Sequence, residues 1–387
     1  MTDRIRPDLF LLDPSVTHLN HGSFGAVPVP VLEAQRRASE AIERSPERFY
    51  RGDLAPAIDA VRTDVAGFLA TDPDGLALVE NATEAAQIAL DAVGLEPGSE
   101  IVYTDHTYGW VIAAINRACA RTGAVARCVP LPTPRPVDRS HQVPDVSAAE
   151  LVEALRPSIT ARTRLLVLDQ ITSASALLLP VHEVCEAFGE QVPILIDAAH
   201  APGVIQQPVP VKAAFWLGNL HKWAFAARTA AALVIGPRFR DRVQPLVASA
   251  GASAGFPRSF SYLGTQDPTA FLALPASLAF PSEHLGMTFP ELLTRNTQLL
   301  DAGLRLLADR LGLETISSNG LPLRALSLEQ PGGDKDAGRL TNELRESGVE
   351  VAITSVGGTL HARVSVQAYV ALEDFERLAQ ILSQRFK

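Results

Sequence analysis

The residues that could do chemistry stand in two places. Phe215-Trp216-Leu217-Gly218-Asn219-Leu220-His221-Lys222-Trp223 is an apolar run that delivers a lysine into a turn. Loss of hydration there lowers a lysine's pKa and frees its amine to condense with a carbonyl compound. Upstream, Pro193-Ile194-Leu195-Ile196-Asp197-Ala198-Ala199-His200 reads as a short strand ending in a carboxylate, and ligand groups in open α/β sheets gather at that end of a strand. A lysine and an aspartate at neighbouring strand ends are the two polar anchors that a pyridoxal phosphate site needs. The amine takes the aldehyde, and the aspartate keeps the pyridine nitrogen protonated so that the ring accepts electrons.

The elements that must position these groups follow from periodicity and turn residues. Helices are expected at about Pro30–Glu43 and Pro56–Leu69, and a strand at Leu76–Val79. Alternation follows: a helix opening at Asn81-Ala82-Thr83-Glu84 and running to Val93, a strand at Ile101–Thr104, a helix at Gly109–Arg121 and a strand at Val125–Val129. After a Pro-rich loop from Pro130 to Pro144 come a helix at Ser147–Leu155, a strand at Leu165–Leu168, a helix at Val181–Phe188 and the strand ending at Asp197. Near-continuous apolar strands alternating with helices mark a mostly parallel sheet covered on both faces, so the large domain is α/β. Ala230–Ile235 reads as another strand and Phe256–Asp267 as a loop. Helices are expected at Pro268–Leu278 and Phe289–Leu311, then strands near Leu323–Leu326, Val349–Ile353 and Leu360–Val366 with helices at Asp336–Ser347 and Leu372–Arg385. That end reads as a smaller α+β domain.

Bulk properties narrow the class. The 387 residues suffice for two domains, and 47% hydrophobic with 20% charged residues is a soluble globular composition. A net charge of -9 and a pI near 5.5, with no basic stripe, argue against nucleic acid or an anionic membrane as partner. No signal peptide or membrane span is legible, so a cytoplasmic location is expected. Cys119, Cys128 and Cys185 lack metal-ligand spacing and read as buried free thiols. No metal site is expected: Asp197 with His200, or His18 with His21, lacks a third ligand at a recognisable spacing.

Three stretches carry a family resemblance over essentially the whole chain: Leu19-Asn20-His21-Gly22-Ser23-Phe24-Gly25, Asp197-Ala198-Ala199-His200 and Asn219-Leu220-His221-Lys222-Trp223. In order and spacing the chain resembles the class V branch of the fold-type I pyridoxal phosphate enzymes, and within it the isopenicillin N epimerase-like group. The resemblance implies a large domain with a mostly parallel seven-stranded sheet over residues 31–265 and a small α+β domain over 266–387. An N-terminal segment, 1–30, would contribute to the substrate site, with Asn20 and His21 as substrate-binding residues.

It also implies roles. Lys222 would hold the cofactor and shuttle the substrate's Cα proton, and Asp197 would pair with the pyridine nitrogen. Asn81, Ala82 and Thr83 would cup the phosphate at a helix N-terminus, whose free N–H groups and dipole suit an anion. Asn219 and His221 would also reach the phosphate, as would Gly264-Thr265 from a second subunit, which implies a homodimer with shared sites. His106 is the favoured ring stacker, with Tyr108 as substitute. Thr172 and Ser173 would contact the phenolate oxygen, with His200 near the same edge. Arg363 would clamp a substrate α-carboxylate, a task that suits a bidentate guanidinium. Two departures from relatives, Ala226-Ala227-Arg228-Thr229 after the lysine and Val370 after Tyr369, bear on substrate identity.

The expected reaction breaks a bond at Cα of an amino acid. Epimerisation needs a second acid on the far face, for which Tyr108, His21 or Tyr262 could serve. β-Elimination needs only a leaving group, so a carbon–sulfur lyase acting on an S-substituted cysteine in natural-product biosynthesis is favoured over an epimerase or a decarboxylating or deaminating enzyme. Arg48 and Arg51, in a loop from Pro46 to Asp53, are either substrate contacts or surface charges. Gly251-Ala252-Ser253-Ala254-Gly255 fits a serine-hydrolase pattern, but Phe256-Pro257 follows directly and blocks the helix that such a motif needs. A nicotinamide enzyme is weaker still, for want of a Gly-x-Gly-x-x-Gly after a strand.

Overall fold

A computed structural model describes residues 4–132 and 145–385. The expected loop Pro130–Pro144 therefore lies largely outside the described residues. Its centre is a seven-stranded sheet in the order β2-β8-β7-β6-β5-β3-β4: Leu76–Val79 (β2), Glu100–Thr104 (β3), Val125–Val129 (β4), Thr163–Asp169 (β5), Ile194–Asp197 (β6), Phe215–Asn219 (β7) and Ala231–Ile235 (β8), with Thr17–His18 being β1. Only β8 runs antiparallel, between β2 and β7. Strands β2, β6, β7 and β8 are buried at every residue, which is why they read as unbroken apolar runs. Because six strands run the same way, the turns after Val79, Thr104, Asp169, Asp197 and Asn219 open on one edge of the sheet.

The edge strand β4 differs. Cys128 is exposed there, and Cys119 is half-buried, so only Cys185 is the buried thiol that the sequence suggests. An edge strand lacks a neighbour on one side, and β4 exposes three of its five residues.

A three-stranded antiparallel sheet, β11-β12-β9, forms the second layer from Leu323–Pro331 (β9), Ala352–Val356 (β11) and Thr359–Ser365 (β12). The expected strand at Val349–Ile353 divides in two. Val349–Glu350 (β10) pairs in parallel with β1, whereas β11 pairs with β12. This ladder, a separate two-stranded sheet, ties the N-terminal segment to the stretch that leads into β11.

The helix Phe289–Leu311 begins at a Thr288–Glu291 capping box, which satisfies free N–H groups reciprocally, and ends at Gly312 in a left-handed conformation (φ 69°). It packs along Leu372–Arg385, and Gly303 lets Phe375 approach to where a Cβ would lie 2.4 Å away. The expected helix Pro268–Leu278 is two pieces, Thr269–Leu272 and Leu274–Phe280, with Pro275, which lacks an N–H, near the start of the second. Both pack on the helix Val29–Arg44. Pro46–Asp53, expected as a loop, is helical and continues into Leu54–Phe68. There Arg51 pairs with Glu47 four residues earlier and Arg48 with Asp53, and both arginines are exposed surface charges. No helix among the described residues is long and apolar enough to cross a membrane.

Candidate active site

At the edge where the parallel strands end, a cavity of about 320 Å³ opens, the size of a small-ligand pocket. Asn81, Ala82 and Thr83 line it after β2, Tyr108 after β3, Asp169 at the end of β5 and Ser173 beyond it, Asp197 at the end of β6 and His200 beyond it, Asn219 at the end of β7 with His221 and Lys222 beyond it, and Arg363 from β12.

Asp197 is buried and Lys222 is half-buried on the cavity wall. Burial, followed by the Arg363 cation, pushes the lysine down to about 7. Burial raises Asp197, while the Ala199 N–H and the Lys222 charge pull the other way. Asp169, its partner in the β5–β6 register, is raised further by burial and by the negative charge of Asp197.

Asn81 caps the helix Ala82–Ala92 by accepting from the Glu84 N–H at 2.9 Å, and Asn219 Oδ1 accepts from the Ala82 N–H at 2.9 Å. Ala85 donates to the Asn81 carbonyl. Among the described residues the Thr83 amide at this helix end has no such partner.

Arg363 is 5% exposed. Its Nη1 donates to Ser173 O at 2.7 Å, and its Nη2 to Ser23 Oγ at 2.6 Å and Asn20 Oδ1 at 3.2 Å. Nε has no partner among the described residues, nor does Asp169 Oδ2. Ser23 escaped the sequence reading although it lies in the Leu19–Gly25 stretch. Asp169 escaped it too, yet it ends a strand just as Asp197 does.

Several expected site residues lie elsewhere. His106 does not line the cavity; its Nδ1 is 2.7 Å from Ser175 Oγ, and Tyr108 stands on the wall instead. Thr172 is fully buried, with its hydroxyl on Ser175 and on the Leu177 N–H. His21 is buried with both nitrogens engaged, Nδ1 at 2.9 Å from the Tyr369 hydroxyl and Nε2 at 3.0 Å from Lys222 O. Asn20 acts on Arg363 rather than on the cavity wall. Tyr262 and Gly264 line a separate cavity of about 310 Å³, and Thr265 is exposed. Val370 is packed in the core, its carbonyl accepting from Arg295, and Arg228 donates to Phe24 O and Gly25 O. Neither departure residue lines the site cavity.

Gly25 explains how the N-terminal segment can lie against the lysine turn. Its φ is +62°, and a Cβ there would stand 2.6 Å from His221 O.

The donor set fits pyridoxal phosphate. A buried carboxylate with no full counter-cation suits a protonated ring nitrogen, the helix end with a free amide suits a phosphate, and a lysine amine lowered to about 7 suits an aldehyde.

The family model described as Aminotransferase class-V matches residues 28–254. An L-cysteine desulfhydrase of Arabidopsis thaliana is 30% identical across 96% of this chain and 88% of its own. Isopenicillin N epimerase of Streptomyces clavuligerus is 29% identical across 96% and 95%. The solved complex of the cystine C-S lyase C-DES with its product cysteine persulfide superposes with a TM-score of 0.78 at 19% identity, covering 96% of this chain and 98% of that one, a likeness of fold.

Proposed function

We propose, from the premise that this chain belongs to the aminotransferase class-V family of pyridoxal phosphate enzymes, that it is a carbon–sulfur β-lyase acting on an S-substituted cysteine. The observation that carries the choice of elimination over epimerisation concerns the second acid. Within one chain, His21 has both ring nitrogens committed inside the protein and Tyr262 lines a different cavity. Elimination needs one base, and the cavity offers Lys222. Epimerisation is the second reading, favoured by Tyr108 on the cavity wall.

The cofactor supplies an aldehyde that captures amines and a protonated ring that takes up the electrons of a bond broken at Cα. In our reading Asp197 holds the proton on the ring nitrogen. Asn81, Ala82, Thr83, Asn219 and His221 hold the phosphate, and Tyr108 covers the ring. Arg363 binds the substrate α-carboxylate and so fixes the orientation of Cα. Lys222 Nζ, as a free amine, would take the Cα proton and return it to the β-sulfur as the C–S bond breaks, so that the sulfur leaves as a thiol. Hydrolysis of the remaining enamine yields pyruvate and ammonia. Phe24 and Trp110, 74% and 64% exposed, together with exposed Thr265, support a homodimer that covers this edge.

The test is incubation of cofactor-loaded protein in deuterated solvent with cysteine S-conjugates. Pyruvate, ammonia and a free thiol are expected. An intact product with deuterium at an inverted Cα would replace the lyase reading with the epimerase one.

A further inference from the structure

Lys222 Nζ lies 3.2 Å from His200 Nε2, and across the same imidazole the Trp223 indole Nε1 lies 3.3 Å from Nδ1. An indole N–H can only donate, so His200 Nδ1 must accept. An imidazole that accepts at Nδ1 is neutral and carries its proton on Nε2. That N–H is then directed at the lysine nitrogen. An ammonium has no lone pair to receive it, and a free amine does.

We propose that Trp223 is a positioning residue: its indole N–H holds His200 as a hydrogen-bond donor toward Lys222, and thereby holds Lys222 as the uncharged amine. The proposal rests on the amine role given to Lys222 above. Its test reads the protein without cofactor, so it can fail while that role stands.

The surroundings fix the geometry. Trp223 is 2% exposed, and its ring centroid is 4.9 Å from that of His21, which itself grips Lys222 O. Gly22 leaves the room needed: a Cβ there would stand 3.3 Å from the indole and 3.6 Å from the His200 ring. Four titratable or charged groups face Lys222. Asp197 from β6 favours the ammonium, Arg363 from β12 disfavours it, and His221 and His200 are both kept neutral chiefly by burial. Burial and Arg363 lower the amine while Asp197 opposes them, and a His200 N–H directed at the nitrogen acts in the same sense as burial. If Nε2 accepted instead, it would stabilise the ammonium.

Trp223→Phe keeps an aromatic ring and removes the donor. In cofactor-free protein, the rate at which an amine-directed acylating reagent labels the Lys222 peptide, read by mass against pH, gives the midpoint of the amine. We expect Trp223→Phe to raise that midpoint by about one pH unit, because a charged hydrogen bond becomes available to the ammonium. His200→Phe should abolish the effect, so that the double variant matches His200→Phe alone. Nitrogen-15 NMR of histidine-labelled wild-type protein, with the His200 signals assigned by His200→Phe, should show the Nε2–H form even if Trp223→Phe fails to fold. A cationic or Nδ1–H His200, or an unchanged midpoint in folded Trp223→Phe, overturns the proposal.

Discussion

Replacing Arg363 with methionine keeps roughly the volume of the side chain and removes its cation. In the native site four acceptors, Ser173 O, Ser173 Oγ, Ser23 Oγ and Asn20 Oδ1, hold the two Nη atoms, while Nε is buried without a partner among the described residues. The guanidinium lines the cavity, and its acceptors are neutral groups, so among the described residues no carboxylate of the protein pairs with its charge. Loss of a charge-assisted hydrogen bond costs ~1.5–3 kcal/mol, and unpairing a buried ion costs ~3–5 kcal/mol. A value of about 3 kcal/mol corresponds to a fall of ~150-fold in kcat/KM. The loss should fall mainly on KM, because the carboxylate is bound alike in ground and transition states. A second consequence is independent of turnover: without the Arg363 charge, the Lys222 amine should titrate higher than about 7 in cofactor-free protein. Steady-state pyruvate release from an S-substituted cysteine measures the first, and pH-dependent acylation of Lys222 the second. A kcat/KM within a factor of about two of the parent would refute the carboxylate-clamp reasoning.

Three further outcomes follow from the same geometry. Lys222 is lowered in the folded protein and ordinary, at 10.5, in the unfolded chain, so the unfolded state binds more protons between about pH 7 and 10.5. Cofactor-free protein should therefore gain stability as pH rises through that window, and Lys222→Met should lack the gain in denaturant titrations. Asp197→Asn should still bind cofactor but slow Cα–H exchange by ~10²–10³-fold, measured by NMR in deuterated solvent. Gly25→Ala should lower the thermal midpoint and weaken cofactor retention, since its positive φ and the contact with His221 O together cost ~1–3 kcal/mol.

The large sheet was legible because its strands are buried on both faces and carry near-continuous apolar residues, and the strand-end rule then found Lys222 and Asp197. The same rule, applied to the expected strand Leu165–Leu168, points equally to Asp169, the next residue. The division between β10 and β11 was not legible, because it depends on pairing with residues 17–18, far away in sequence. Nor was the helix through Pro46–Asp53, a short segment containing proline and glycine whose helical state is accompanied by the Glu47–Arg51 pair. The placement of Tyr108 rather than His106 on the cavity wall depends on how the turn after β3 folds, and the commitment of His106 to Ser175 is a contact 69 residues away. Trp223 stood beside the lysine throughout. Only the three-dimensional position of His200 gives its N–H a purpose.

The most direct test of the account uses L-alanine, which keeps the amine, the carboxylate and the Cα–H of the proposed substrate but has no β leaving group. Proton NMR of cofactor-loaded wild-type protein with L-alanine in deuterated solvent should show loss of the Cα–H with the L configuration retained, and Lys222→Ala should show no such exchange. Exchange at an undiminished rate in Lys222→Ala, or racemisation by the wild type, would contradict a single lysine acting from one face.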